Sequence, residues 1–237
     1  MDFQKFLKVE NYINKAKRLW NGPFQHSYAQ VGEDLIIDYA CKELGIRTPS
    51  YLDIGAFDPI EANNTYFFYR AGGHGVCIEP NPDKFRRIQM KRRRDIVLNV
   101  GVAPAENANA SYYMMTSPFL NTFSREEADE AIANTELRTR QKIEAVLKIP
   151  LVTINFILEM YFPRGVDILS IDTEGYDLGI LQSLDYKKFH PRIICVETLR
   201  YDTNGELTKS SNINTYLLAQ GYASYADTRV NSIFVKK

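Results

Sequence analysis

The chain is short of several things that would declare a function early. It has only three cysteines, Cys41, Cys77 and Cys195, an odd number with no close pair. That excludes a disulfide framework and a cysteine-based zinc site, and leaves buried free thiols as the expectation. Its three histidines, His26, His74 and His190, fall in loops away from any catalytic spacing. There is no excess of either charge: 29 basic and 29 acidic residues cancel, which argues against a dedicated DNA-binding protein. No apolar run approaches the roughly 20 residues of a membrane span. The first 20 residues lack the apolar centre of a secretory leader, so a cytoplasmic location is expected. Internal repeats and low-complexity tracts are also missing.

What is present is a core. Apolar residues make up 45% of 237, enough for one generous domain. Phe3, Phe6, Leu7, Tyr12, Ile13, Ala16, Leu19 and Trp20 recur near a helical period with lysines between them. Asn21-Gly22-Pro23 ends this pattern, giving an N-terminal helical extension over 1–26 and a main domain over 27–237. In the main domain a helix is expected from Glu33 to Leu44, and short apolar runs then alternate with helical patterns. Ser50–Ile54, Gly75–Ile78, Asp95–Val100, Val166–Ile171 and Ile193–Glu197 read as strands. Asn63–Arg70, Pro82–Arg93, Leu178–Leu184 and Ser210–Gln220 read as helices. Such alternation predicts an α/β fold with a mainly parallel sheet covered on both faces. Tyr222–Tyr225 and Ser232–Val235 close the chain as an antiparallel hairpin. Residues 101–150 interrupt the alternation, with a strand at Ala110–Met115, a helix at Arg125–Ile132 and no clear reading over 134–148. This stretch is the natural place for a substrate-selecting insertion.

Ligands of doubly wound sheets bind beyond the carboxyl ends of the strands. After the first strand stands Asp53-Ile54-Gly55-Ala56-Phe57-Asp58, an Asp-x-Gly-x-x-Asp pattern. A dinucleotide fingerprint needs three glycines to approach a pyrophosphate, but Phe57 and Ile60 hold the second and third positions. S-adenosylmethionine has no phosphate, and carboxylates suit its cationic sulfonium and amino groups. The second strand ends at Glu79, 24 residues after Gly55, where an acid accepts hydrogen bonds from two ribose hydroxyls. The fourth strand ends Asp172-Thr173-Glu174-Gly175-Tyr176-Asp177 and the fifth ends at Glu197. Clustered carboxylates raise one another's pKa, which suits a base, so Asp172 and then Glu174 are the candidates for taking a proton. Asp172 with Glu197 also offers hard oxygen ligands for Mg2+ or Mn2+. Asn63-Asn64-Thr65 and Asn121-Thr122 are read as caps or as ligand contacts. The run Arg86, Arg87, Lys91, Arg92, Arg93 and Arg94 reads as a solvated helix face, with a phosphate-bearing acceptor as the sharper alternative.

Gln30 to Ile36, residues 51–82, LNVGVAP, DILSIDTEGYDLGILQSLD and PRIICVE together resemble the FkbM-type methyltransferases over roughly residues 28–236. The resemblance implies a Rossmann-like class I methyltransferase fold with a seven-stranded sheet and a C-terminal antiparallel hairpin. It implies S-adenosylmethionine as cofactor and O-methylation of a sugar, glycan or related natural product as the activity. It places Asp53, Gly55, Asp58 and Glu79 at the cofactor, with Asn81, Asn99 and Gly101 toward the adenine. Phe57 departs from the small or polar residue expected at its position. The expected partner is a small-molecule or glycan acceptor, not nucleic acid. Nothing in the sequence excludes a homo-oligomer. The rival readings are an NAD-type oxidoreductase, disfavoured by the missing glycines, and a non-catalytic nucleic-acid or assembly module, which the basic run suggests and the acidic strand ends weaken.

Overall fold

The central strand is β1 (Ser50–Ile54), whose last four residues are buried because helices cover both faces. Ser50 is pinned at its start: its N–H and its hydroxyl each donate to Asp167 Oδ2, both at 2.9 Å. In this computed structural model residues 26–134, 139–173, 175–201, 207–209 and 211–237 are described. The helical pattern expected over residues 3–20 lies outside them.

Beside β1 run β2 (His74–Ile78) and β3 (Ile96–Leu98) on one side. On the other side lie β7 (Ile168–Ile171) and β8 (Ile193–Glu197). All these neighbours pair in parallel. β12 (Asn231–Lys236) is antiparallel to β8 and to β11 (Tyr222–Asp227), the expected terminal hairpin. The order β3-β2-β1-β7-β8-β12-β11 reverses direction between β1 and β7. The carboxyl ends of those two strands therefore open a crevice. This is the Rossmann-like class I methyltransferase arrangement.

Alternate residues of each strand face opposite layers. Leu52, Ile54, Leu169, Ile171, Ile194 and Val196 pack on α5 (Ile154–Tyr161), α6 (Asp177–Ser183) and α7 (Ser211–Ala219). Tyr51, Ile168, Ile193 and Cys195 pack on α1 (Glu33–Glu43) and α2 (Tyr66–Arg70). Ile88 of α3 (Pro82–Lys91) closes that face over Cys77. In α5, Ile154, Ile157 and Leu158 are fully buried, each contributing about 1.5–3 kcal/mol over exposure. All three cysteines are free and buried.

The insertion forms a second sheet of β4 (Gly101–Val102), β6 (Ile143–Val152) and β5 (Asn107–Met115), in that order. α4 (Arg125–Ala133) lies between β5 and β6 and is capped by Ser124. β6 takes up residues 143–148 of the stretch that has no clear reading in the sequence. Its first half alternates between half-buried and exposed, so its apolar signal is diluted. Pro150 interrupts it at a register shift opposite β5, where a missing N–H is tolerated. The strand stops at Val152 because Thr153 caps α5, its hydroxyl accepting from Phe156 N at 3.3 Å. α2 begins three residues later than expected because Asn63, Asn64 and Thr65 are engaged in the preceding loop. A small hairpin, β9 (Leu199–Tyr201) with β10 (Leu207–Lys209), has no counterpart in the sequence reading. Among the described residues no helix is long and apolar enough to cross a membrane.

Candidate functional site

At the crevice the chain leaves β1 through Gly55, whose φ of +83° disfavours other residues. A Cβ there would lie 1.8 Å from the carbonyl oxygen of Asp172. The neighbour that demands glycine is therefore the end of β7. Asp172 N donates to Ile54 O, and Gly55 N and Ala56 N both donate to Ile78 O, each at 3.0 Å. Three strand ends are thus tied together. Phe57 follows with a φ of 50°. Its N–H donates to Glu79 Oε2 at 2.8 Å, and its ring lies between Phe119, 4.6 Å away, and Lys84 Nζ, 3.6 Å from its centroid. The departure from a small residue at position 57 is thereby matched by an aromatic from the insertion.

Behind this loop lies a buried polar network. Asp53 accepts from Thr65 Oγ1 at 2.6 Å and from Asn63 Nδ2 at 3.2 Å. Asn63 also holds the carbonyls of Ala56 and Asp58. Arg92, fully buried, pairs with Asp95 at 2.7 Å and Asp53 at 3.8 Å and donates to Asn63 and Thr65. The basic run is thus not uniformly a solvated face: Arg92 turns inward and locks the loop. Asp58 accepts from Ile60 N and Glu61 N and pairs with Arg87 at 3.1 Å. Asp53 and Asp58 stand behind the cavity wall.

Glu79 lines the cavity itself. One carboxyl oxygen takes Phe57 N and the other Asn81 N, both at 2.8 Å. Burial pushes this carboxyl up to about 7 against the pull of those N–H groups. An ionised carboxylate has about four lone-pair sites, so two remain for a ligand. Asn81 caps α3 by accepting from Asp83 N and Lys84 N. Asn99 donates to the carbonyls of Glu79 and Pro80, both at 2.8 Å. These two asparagines hold the Glu79 turn without lining the cavity, whereas Gly101 lines it. A Cβ on Gly101 would meet Phe123 at 2.5 Å, so glycine there admits an aromatic wall.

Across the cavity stand Asp172 and Glu197, which share a side-chain hydrogen bond. Burial, then the charge of Glu197, then those of Asp177 and Asp53, push the Asp172 carboxyl well above the usual range. Asp177 starts α6 and accepts from Thr173 N at 3.0 Å and Thr173 Oγ1 at 3.1 Å, which shapes the loop after β7. Glu174 lies outside the described residues. For a metal, no group of three His, Cys, Asp or Glu side chains with suitable placement occurs among the described residues. Among the described residues Asp172 and Glu197 are the two hydrogen-bonded acids on this side of the cavity.

The insertion supplies the remaining wall. Asn121 Oδ1 accepts from Met115 N at 2.8 Å, and Thr122 pairs with Tyr113 through two backbone bonds. This folds Pro118 and Phe119 over the opening, with Phe119 59% exposed. Thr122 Oγ1 also bonds Glu127, whose carboxylate abuts Gly175 beyond β7. Gln30, Phe57, Tyr112, Phe119, Phe123, Thr173 and Tyr176 line the cavity and are not singled out as ligand contacts in the sequence reading. The position of the insertion above the strand ends was the one available signal. The charged side chains lining the cavity, Glu79, Asp172 and Glu197, are all acidic. Among the described residues no Lys, Arg or His lines it, and His26, His74 and His190 are exposed elsewhere.

The profile described as the methyltransferase FkbM domain matches residues 53–224, more than half of the chain. No curated protein matches. Among solved structures the chain is similar to a TehB-like SAM-dependent methyltransferase from Corynebacterium glutamicum. Identity is 10% and the TM-score 0.42, over 98% of this chain and 99% of that one. An O-methyltransferase from Bacillus cereus in complex with SAH is 13% identical at a TM-score of 0.41, over 98% and 90%. Magnesium protoporphyrin IX methyltransferase from Synechocystis with bound SAM is 10% identical at 0.40, over 100% and 98%.

Proposed function

The chain belongs to the FkbM methyltransferase domain family, and on that premise we propose that it methylates a hydroxyl of a sugar, glycan or related natural product. The observation that supports the cofactor is the one-sided charge of the cavity. A pyrophosphate would meet three carboxyl groups and no cation there, whereas the cationic end of S-adenosylmethionine is complemented. Glu79 fits the ribose, since its two unused lone-pair sites match a vicinal diol. In this reading Gly55 and Gly101 let backbone and aromatic walls close on the cofactor. Asp53, Asp58, Asn81 and Asn99 hold those walls.

When bound, the cofactor supplies an electrophilic methyl group on sulfur. The chain supplies the proton acceptor. Asp172, hydrogen-bonded to Glu197 and raised in proton affinity by burial and by that neighbour's charge, takes the proton from the acceptor hydroxyl as its oxygen becomes the nucleophile. The raised affinity for protons brings Asp172 closer to the working pH, where a general base is most effective. Phe119 and Tyr112, from the insertion, offer apolar surface on which the face of a sugar ring stacks.

The experiment is transfer of isotope-labelled methyl from S-adenosylmethionine to a panel of free sugars and glycans. The expected product carries label in an alkali-stable ether. Label found only in alkali-labile esters, or on nitrogen, removes the hydroxyl assignment and leaves the cofactor assignment standing.

A further inference from the structure

Two fully buried carboxylates hold the short segment that leads into α1. Asp34 accepts from Ser27 Oγ and from Tyr28 N, both at 2.6 Å. Glu33 Oε2 accepts from Val31 N at 2.8 Å, and its Oε1 from Thr228 Oγ1 at 2.7 Å and Asn231 Nδ2 at 3.0 Å. Tyr28 O in turn accepts from Asn63 N at 2.9 Å. The segment is thereby tied on one side to the loop after β1. On the other it is tied to the start of β12, where Asn231 stands opposite Glu197. Between the held residues Tyr28 and Val31 comes Gln30, which lines the cavity. Its side-chain amide has no hydrogen-bond partner among the described residues. A turn fixed by two buried acids thus presents one uncommitted amide to the cavity.

The charged side chains of the lining, Glu79, Asp172 and Glu197, are all acidic. They complement the sulfonium and amino groups of S-adenosylmethionine and repel its α-carboxylate. That carboxylate requires an uncharged donor. The hydroxyls of Thr122 and Thr173 are committed to Glu127 and Asp177. Asn121 and Tyr112 belong to the insertion, the wall assigned to the acceptor, and Tyr176 packs against the core. Gln30 offers two amide N–H groups. Its place also fits. With the ribose at Glu79, on β2, and the methyl group facing Asp172, on β7, the amino-acid end lies away from β2. The ties of the Gln30 segment, to the β1 loop and to β12, put it on that side.

We propose that Gln30 donates to the α-carboxylate of S-adenosylmethionine and selects the complete amino-acid end over nucleosides that lack it. The inference rests on the proposed cofactor and adds the contact that acidic side chains cannot make. Glu33 and Asp34 act only through Gln30, by fixing the turn that carries it. Because the turn is already held in place, little ordering of the chain offsets the contact.

Calorimetric titration of the full chain with S-adenosylhomocysteine and with its decarboxylated analogue, which keeps the nucleoside, the thioether and the amine, tests the proposal. The parent is expected to bind S-adenosylhomocysteine more tightly. Gln30→Ala lowers that affinity about tenfold and leaves affinity for the analogue within about twofold, because a hydrogen bond to a charged acceptor is lost only where the carboxylate exists. Gln30→Glu, of nearly the same shape, lowers S-adenosylhomocysteine affinity further by placing two carboxylates together. Gln30 is exposed, so both variants are expected to melt with the parent. Equal losses for the two ligands in Gln30→Ala overturn the carboxylate contact. So does unchanged S-adenosylhomocysteine affinity, which leaves the cofactor reading standing and points Gln30 to the acceptor. A parent that binds neither ligand removes the cofactor reading, and this inference with it.

Discussion

Glu79 couples the fold, the cofactor and pH in one side chain, and its replacement by Gln separates them. The wild-type carboxylate holds Phe57 N and Asn81 N and, in the proposed complex, two ribose hydroxyls. Glu79→Gln keeps one acceptor oxygen, removes the charge and turns an amide N–H toward one of the two backbone donors. Charge-assisted hydrogen bonds contribute about 1.5–3 kcal/mol, so affinity for S-adenosylhomocysteine is expected to fall roughly 10–100-fold. The pH dependence is a sharper signature. Burial raises the carboxyl from 4.5 to about 7. A group raised in this way stabilises the fold most below its ordinary value and loses that contribution as pH rises through about 7. The loss amounts to about 3 kcal/mol in the ligand-free protein. Ligand affinity runs the other way, because the ionised carboxylate is the form that accepts the ribose hydroxyls. Affinity therefore tightens as pH rises toward and through about 7. Calorimetric titrations across pH, paired with melting curves, read both trends. Glu79→Gln removes the Glu79 contribution to each. Unchanged affinity in the variant, with a flat affinity profile in the parent, would refute the placement of the ribose at Glu79.

Asp172→Asn is expected to lower turnover about 10²–10⁴-fold while S-adenosylhomocysteine affinity changes little, measured with any acceptor that shows methylation. With Asp172 acting as a direct base, a chelator is expected to leave activity intact. Chelator-sensitive activity restored by magnesium would return Asp172 and Glu197 to a metal role. Arg92→Met leaves Asp53 and Asp95 buried without their cation, and denaturant titration is expected to show a loss of about 3–5 kcal/mol. A loss under about 1 kcal/mol would show that the network does not hold the loop. Gly55→Ala places a Cβ 1.8 Å from the Asp172 carbonyl at a φ of +83°, so both the melting temperature and cofactor affinity are expected to drop together. Retention of either in the folded variant would separate the β1–β7 contact from the site.

The parallel strands were legible because SYLDI, GVCI and IICVE are apolar runs buried on both faces, the pattern a covered sheet imposes. Most of β6 was not, because four of its ten residues are exposed and Pro150 breaks its ladder; only its end, within the strand read at Leu151–Ile154, showed in the sequence. In the site, Gly55, Glu79, Asp172 and Glu197 could be found because topology alone puts strand ends at the crevice. The division between Glu79, which lines the cavity, and Asp53, Asp58, Asn81 and Asn99, which brace it, was hidden. A short polar side chain beside a loop amide and one beside a ligand have the same sequence signature, and only geometry tells them apart. Arg92 was hidden for the reason that Arg93 was not: in a run of cations, which one turns inward depends on where α3 ends. The stacking of Phe57 on Phe119 joins residues 62 positions apart and has no local signal.

The central claim is that an acid-lined cavity at the β1–β7 crevice takes the cationic cofactor and refuses the dinucleotide. Calorimetric titration of the full chain with S-adenosylmethionine and with NAD tests it directly. Saturable one-site binding of S-adenosylmethionine, with no heat from NAD at the same concentrations, is the expected result. Saturable NAD binding with none for S-adenosylmethionine would contradict it.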